Sequence, residues 1–241
     1  MFEMKRTVTY SQVSSLLTMD MAGIVLYLQD CVLAHSESIG KGIEQVNRDK
    51  RAWFLSSWQI EVDRFPAYKE EVTVRTWPHE FKGMYGYRNF DVIDRNGNEI
   101  VKANSIWIFM DIDSKMPIKP TEEDMKGYAL EPAIDMVYAS RKIKILSQEH
   151  RIIGGSNKID TPIRVKRSFI DSNNHVNNGR YVLEALDLLD EDDIKKIRVD
   201  YRKAALYGDV MYPVCYVNGN TKQVVLNDTD EKPYVIVEVE S

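Results

Sequence analysis

Apolar and polar positions alternate in several stretches of the chain. Trp58, Ile60 and Val62 alternate with Gln59, Glu61 and Asp63, and Val72 and Val74 with Thr73 and Arg75. Ile106, Ile108 and Met110 alternate with Trp107 and Phe109, an almost wholly apolar strand. Period-two patterning of this kind predicts β-strands, and Asn96-Gly97 between Val92-Ile93 and Ile100-Val101 predicts a hairpin turn. The second half repeats the style. Ile197, Val199 and Tyr201 mark one strand, and Val210, Tyr212, Val214 and Tyr216 another. Asn218-Gly219 turns the chain into residues 223–226, and Asp228-Thr229-Asp230 turns it into 234–239.

Two segments have helical character instead. Residues 21–38 are apolar nearly all round, with Ile24, Leu26, Leu28, Cys31, Val32 and Leu33. Residues 179–190 carry Tyr181, Val182, Leu183, Ala185, Leu186, Leu188 and Leu189, with a thin polar stripe of Glu184, Asp187 and Glu191. Helices this apolar are expected to be wrapped by protein on most sides.

Each half therefore reads as one buried helix followed by antiparallel strands, which predicts an internal repeat. Ile60-x-Val62-Asp63 matches Ile197-x-Val199-Asp200, Tyr68-x-Glu70 matches Tyr207-x-Asp209, and Gly23 opens the first helix as Gly179 opens the second. A stretch with Pro117, Pro120, Thr121-Glu122-Glu123-Asp124, Gly127, Pro132 and Gly154-Gly155 reads as a linker. The expected organisation is a first repeat over 1–125, a linker over 126–154 and a second repeat over 155–241. The fold class is α+β. A helix wrapped by an antiparallel sheet matches the hotdog fold, so the chain reads as a double hotdog whose two sheets join.

Composition narrows the function. The 241 residues have 44% hydrophobic and 29% charged content, which excludes wholesale disorder. The net charge of −5 argues against nucleic acid as the main partner. Cys31 and Cys215 cannot build a disulfide framework, and with His35, His79, His150 and His175 they give no zinc-ligand spacing, so neither a metal nor a cofactor is expected. Reduced cysteines suit a cytoplasmic protein. The first eight residues have no apolar signal region, and runs such as 24–28 and 106–110 are far too short for a membrane span.

The chemistry gathers in residues 169–181, Phe-Ile-Asp-Ser-Asn-Asn-His-Val-Asn-Asn-Gly-Arg-Tyr, between a strand at 163–165 and the second helix. Asp171, Asn173, Asn174, His175, Asn177 and Asn178 exceed what a helix cap needs, since one or two such side chains satisfy the free N–H groups. A hydrolytic site accounts for the surplus. The helix N-terminus can hold a developing oxyanion, and His175 beside it can act as general base on water. Asp171 can orient that imidazole or share the activation, and Asn173 can hold the water or the carbonyl. No Gly-x-Ser-x-Gly elbow is present, and Cys215 lies on a strand with no histidine near it in sequence, so direct water attack fits better than a covalent intermediate.

Asp171-x-Asn173-x-His175-Val176-Asn177-Asn178 followed by an aromatic resembles the motif of acyl-acyl-carrier-protein thioesterases, which release fatty acids in plant plastids and in bacteria. The resemblance extends to Trp58-x-Ile60-x-Val62, Arg64-Phe65-Pro66-Ala67-Tyr68 and Thr76-Trp77, to Ser105-Ile106-Trp107, and to Val199-Asp200-Tyr201-Arg202-Lys203. It implies hydrolysis of fatty acyl-acyl carrier protein, with Asp171, Asn173 and His175 at the family's catalytic positions and acyl carrier protein as partner. The family usually has a Glu, often followed by Cys, where this chain has Ala204-Ala205, so a group thought to assist water activation is missing. The plant members carry a transit segment and this chain does not, which makes a bacterial cytoplasmic member the better match. Aligning Gly23 with Gly179 puts Ser15, Leu17 and Met19 opposite Asp171, Asn173 and His175. The first repeat is then expected to supply acyl pocket and scaffold, with one active site per chain.

Competing readings are an acyl-CoA thioesterase of the same fold, a hotdog hydratase and a non-catalytic fatty-acyl binding module. The hydratase pattern, Asp-x-Asn-Pro-x-His, spaces His five positions after Asp, whereas His175 follows Asp171 by four with no proline between. His35 reads as a helix C-terminal cap, and His79 and His150 as surface loop residues. Basic groups around Arg141-Lys142, Arg164-x-Lys166-Arg167 and Lys195-Lys196 are candidates for docking an acidic carrier. Fused repeats mimic a hotdog dimer, which leaves monomer and homodimer both open.

Overall fold

The computed structural model describes residues 1–152, 161–189 and 194–240. The chain divides into two compact units, residues 1–139 and 140–241.

In the first unit, β1 (Phe2–Thr7) precedes α1 (Met21–Ser38) and a short α2 (Ile43–Asp49). Then come β2 (Arg51–Val62), β3 (Glu71–Lys82), β4 (Tyr85–Asp94), β5 (Glu99–Asp111), the two-residue β6 (Met116–Pro117) and α3 (Glu122–Met125). The sheet is antiparallel in the order β1-β3-β4-β5-β2, with β6 beside β5. Pro78 sits inside β3, where a bulge between Pro78 and Glu80 absorbs its missing N–H. Asp20 starts α1 by accepting from Gly23 N at 2.7 Å. Met21, Ile24, Val25, Leu28, Cys31, Val32 and His35 form its buried stripe, and Trp58, Ile60, Val74, Phe90, Val92 and Ala103 are buried on the strands. Leu26 and Leu33 are exposed, so α1 is covered on a broad face rather than all round.

In the second unit the elements are β7 (Ile163–Arg164), α4 (Asn178–Leu186), β8 (Lys196–Tyr201), β9 (Val210–Asn218), β10 (Thr221–Asn227) and β11 (Pro233–Glu240). The sheet order is β8-β11-β10-β9-β7, again antiparallel, and α4 lies against β10 and β11. The helix is shorter than its apolar run. It ends at Leu186, and Leu188 and Leu189 fall in the following turn, while Asp190 and Glu191 lie outside the described residues. Each unit is a helix packed on an antiparallel sheet, so the α+β double hotdog class holds.

Residues 134–146 are divided between the units, and in each they cover the sheet face turned away from the helix. Directly paired residues share a face, which places Gln59, Asn104 and Asn89 in one row across β2, β5 and β4. Gln59 donates to Val137 O at 2.7 Å and accepts from Ala139 N at 2.8 Å, and Asn89 Oδ1 accepts from Ile134 N and Tyr138 Oη, both at 3.1 Å. The second unit uses the same device. Asp200 Oδ2 accepts from Ile143 N at 3.1 Å, and Gln223 Oε1 from Leu146 N at 2.9 Å. Ile143 joins Tyr216, Val225 and Ile236 in a small apolar cluster there. His79 is on β3 and not in a loop, half-buried between Tyr87 and Tyr138.

Candidate active site

The loop from Phe169 to the start of α4 is held by main-chain bonds and by a few side-chain oxygens bonded to its backbone. A 3-10 turn at Arg167–Phe169 leads into a bridge between Ile170 and Val176. Asp171 N donates to His175 O at 2.8 Å, and Asn174 N donates to Asp171 O at 3.1 Å. Asp171 Oδ1 accepts from Asn173 N at 2.8 Å and His175 N at 3.3 Å, closing an Asx turn. Asn174 takes φ 61°, a left-handed conformation that asparagine tolerates better than most residues. Asn177 then caps α4 through Oδ1, accepting from Gly179 N at 2.9 Å.

Capping is thus the work of Asn177 alone, and Asn173 and His175 keep their side chains free of it. Asp171, Asn173 and His175 are brought together on one tight turn, Asn173 exposed and the other two half-buried. No hydrogen bond joins the Asp171 carboxylate to the His175 ring; the carboxylate holds the backbone that carries the ring. Asn178 N–H, in the first turn of α4, has no hydrogen-bond partner among the described residues.

Two tyrosines that the sequence did not single out lock this loop to the sheet. Tyr181 Oη accepts from Ala205 N at 2.7 Å, and Tyr201 Oη donates to Asn178 O at 3.0 Å. Burial pushes both phenols well above their usual pKa, so they stay protonated. Val176 N donates to Ala205 O at 3.0 Å, which sets exposed Ala204 beside the loop.

The first unit contains the same skeleton. A 3-10 turn at Tyr10–Gln12 leads to a bridge between Val13 and Met19. Ser14 N donates to Thr18 O at 2.9 Å, Leu17 N to Ser14 O at 3.0 Å, and Met19 N to Pro66 O at 2.9 Å. Ser14 Oγ accepts from Leu16 N at 3.2 Å, as Asp171 does from Asn173 N, and Leu17 is left-handed at φ 57°. These matches correct the alignment based on Gly23 and Gly179 by one residue. Ser14, Leu16 and Thr18, not Ser15, Leu17 and Met19, stand opposite Asp171, Asn173 and His175. The glycines misled because they occupy different cap positions: Asp20 caps the third residue after itself, Asn177 the second. The strand match shifts as well. Asp63 and Arg64 N both donate to Ile100 O, and Arg202 and Lys203 N both donate to Tyr234 O, so Asp63 corresponds to Arg202 rather than Asp200. In the corresponding hairpins, Asp94 Oδ1 accepts from Asn96 N and Asn98 N as Asp228 Oδ1 does from Asp230 N and Lys232 N.

Comparison with known proteins follows these features. Residues 1–128 match the family model of the acyl-ACP thioesterase N-terminal domain, and residues 155–238 that of the C-terminal domain. The chain belongs to the acyl-ACP thioesterase family. Among curated members, it is 25% identical over 217 residues to a chloroplastic palmitoyl-acyl carrier protein thioesterase of Gossypium hirsutum, covering 83% of this chain and 51% of that one. It is 22% identical over 231 residues to oleoyl-acyl carrier protein thioesterase 1 of Arabidopsis thaliana, covering 87% and 62%. The chain spans about half the length of most curated relatives it matches. An acyl-ACP thioesterase crystal structure from Bacteroides thetaiotaomicron superposes with TM-score 0.84 at 25% identity, over 99% of this chain and 96% of that one. The 12:0-ACP thioesterase of Umbellularia californica shares the fold, with TM-score 0.85 at 17% identity over 99% and 96%. No described helix in this family member is long and apolar enough to cross a membrane.

Proposed function

We propose that this chain hydrolyses the thioester of a fatty acyl-acyl carrier protein to free fatty acid and carrier thiol. The observation that carries the reading is the grouping of Asp171, Asn173 and His175 on one turn at the head of α4, with capping left to Asn177. His175 takes a proton from water, and the hydroxide attacks the thioester carbonyl carbon. The oxyanion of the tetrahedral intermediate sits at the α4 N-terminus, where Asn178 N–H is the untaken donor. The C–S bond then breaks, and the leaving thiolate takes the proton from the imidazolium. Asp171 positions His175 through the backbone, and Asn173 holds the attacking water or the carbonyl. The first repeat, with Leu16 in place of Asn173 and Thr18 in place of His175, supplies scaffold and acyl pocket and no second centre. The reaction needs no metal or cofactor. Cys31 and Cys215, buried and outside any disulfide among the described residues, are consistent with a cytoplasmic setting.

Free-acid release from a panel of acyl carrier proteins and the matching acyl-CoAs tests this. Wild type is expected to prefer the carrier, and His175→Ala to lose about 10²–10⁴-fold in kcat. A His175→Ala enzyme with wild-type turnover overturns the mechanism, and a preference for CoA overturns the partner.

A further inference from the structure

The first unit buries a cation that no acidic side chain among the described residues accompanies. Arg88 is 6% exposed on β4, on the face covered by α1. Its Nη1 donates to His35 Nδ1 at 2.9 Å and to Thr76 Oγ1 at 3.1 Å, and the Tyr128 ring lies 5.5 Å from its Cζ. Both acceptors are neutral. His35 must be, because an imidazole nitrogen that accepts from a guanidinium carries no proton. No carboxylate pairs with Arg88 among the described residues, and its Nε and Nη2 make no hydrogen bond there. Arginine is almost never buried without a partner, since desolvating an unpaired charge is costly.

The surroundings are rich in donors. Arg88 pairs across the ladder with Ser105, and Ser105 with Trp58, so all three share the helix-facing side. Trp58 is 2% exposed, and its indole Nε1–H has no partner among the described residues. The end of α1 does not account for the charge either. The carbonyls of His35, Ser36 and Glu37 are already bonded to Ile39 N, Ser38 Oγ, Lys41 N and Gly40 N, and none accepts from Arg88.

We propose that this face binds a carboxylate on an aliphatic chain, with Arg88 Nε and Nη2 as its fork. The carboxylate is that of a free fatty acid, held as an effector. The site uses none of Asp171, Asn173 and His175, so its test does not depend on turnover.

Binding of dodecanoate, dodecanedioate and dodecan-1-ol to the full chain, in the His175→Ala background at neutral pH, is read by tryptophan fluorescence and calorimetry. Dodecanoate is expected to bind about tenfold or more tighter than the alcohol, the least that one charge-assisted hydrogen bond supplies. Arg88→Met is expected to erase that difference. Thr76→Val, which keeps the charge, is expected to reduce it, and gives the answer if Arg88→Met does not fold. Binding of dodecanedioate without binding of dodecanoate overturns the free fatty acid as the ligand. Equal binding of all three ligands, no binding at all, or acid preference that survives Arg88→Met overturns the proposal.

Discussion

Asp171 shapes the loop more than it touches the histidine ring. Its Oδ1 gathers two backbone N–H groups, and an asparagine oxygen can do the same. Asp171→Asn is therefore expected to melt like wild type and keep more activity than Asp171→Ala. The alanine variant loses about 1–2 kcal/mol in urea melts, together with most of its kcat. Equal stability of the two variants would mean that the Asx turn is not what holds the loop. The surplus of polar residues at 171–178 was legible in the sequence, because a cap needs fewer. The division of labour was not. Only coordinates show that Asn177 caps, and that Tyr181 reaches a backbone N–H twenty-four residues away.

Elements with period-two patterning appear where that pattern placed them, because one buried face fixes both strand and register. β1 escaped notice because it is a largely exposed edge with few apolar positions. The roles of buried Asn89 and Gln223 and half-buried Gln59 were also illegible, since their partners include backbone groups of covering segments without periodicity. The C-terminal end of α1 carries its own pH signature. Burial first, then Arg88 and the N-terminal ammonium, lower the His35 pKa to about 4 from 6.5. The unfolded chain then binds the proton more readily than the folded one. Stability from this group is complete above pH 6.5 and is lost as the pH falls from there towards 4. Urea midpoints should decline across that window, and His35→Gln should flatten this part of the profile; an unchanged slope rules out His35 as its source.

Charge is unevenly spread over the whole molecule. Basic and acidic residues balance in 140–241, and the net −5 belongs to residues 1–139. In the second unit Lys166 and Arg167 are exposed beside the candidate active-site loop, with Arg167 5.3 Å above the Tyr207 ring. Reversing both to Glu is expected to raise KM for carrier-bound substrate about tenfold at low salt and to weaken its dependence on ionic strength, with kcat little changed. If salt sensitivity stays at the wild-type level, the carrier docks elsewhere. The two loops, in turn, obtain their common form from main-chain bonds that many side chains permit. A duplicated gene built this way can let one copy drift to serine, leucine and threonine without endangering its folding. Inheritance of shape and inheritance of reactivity are decoupled, and in the proposed mechanism only the second copy remains answerable for chemistry.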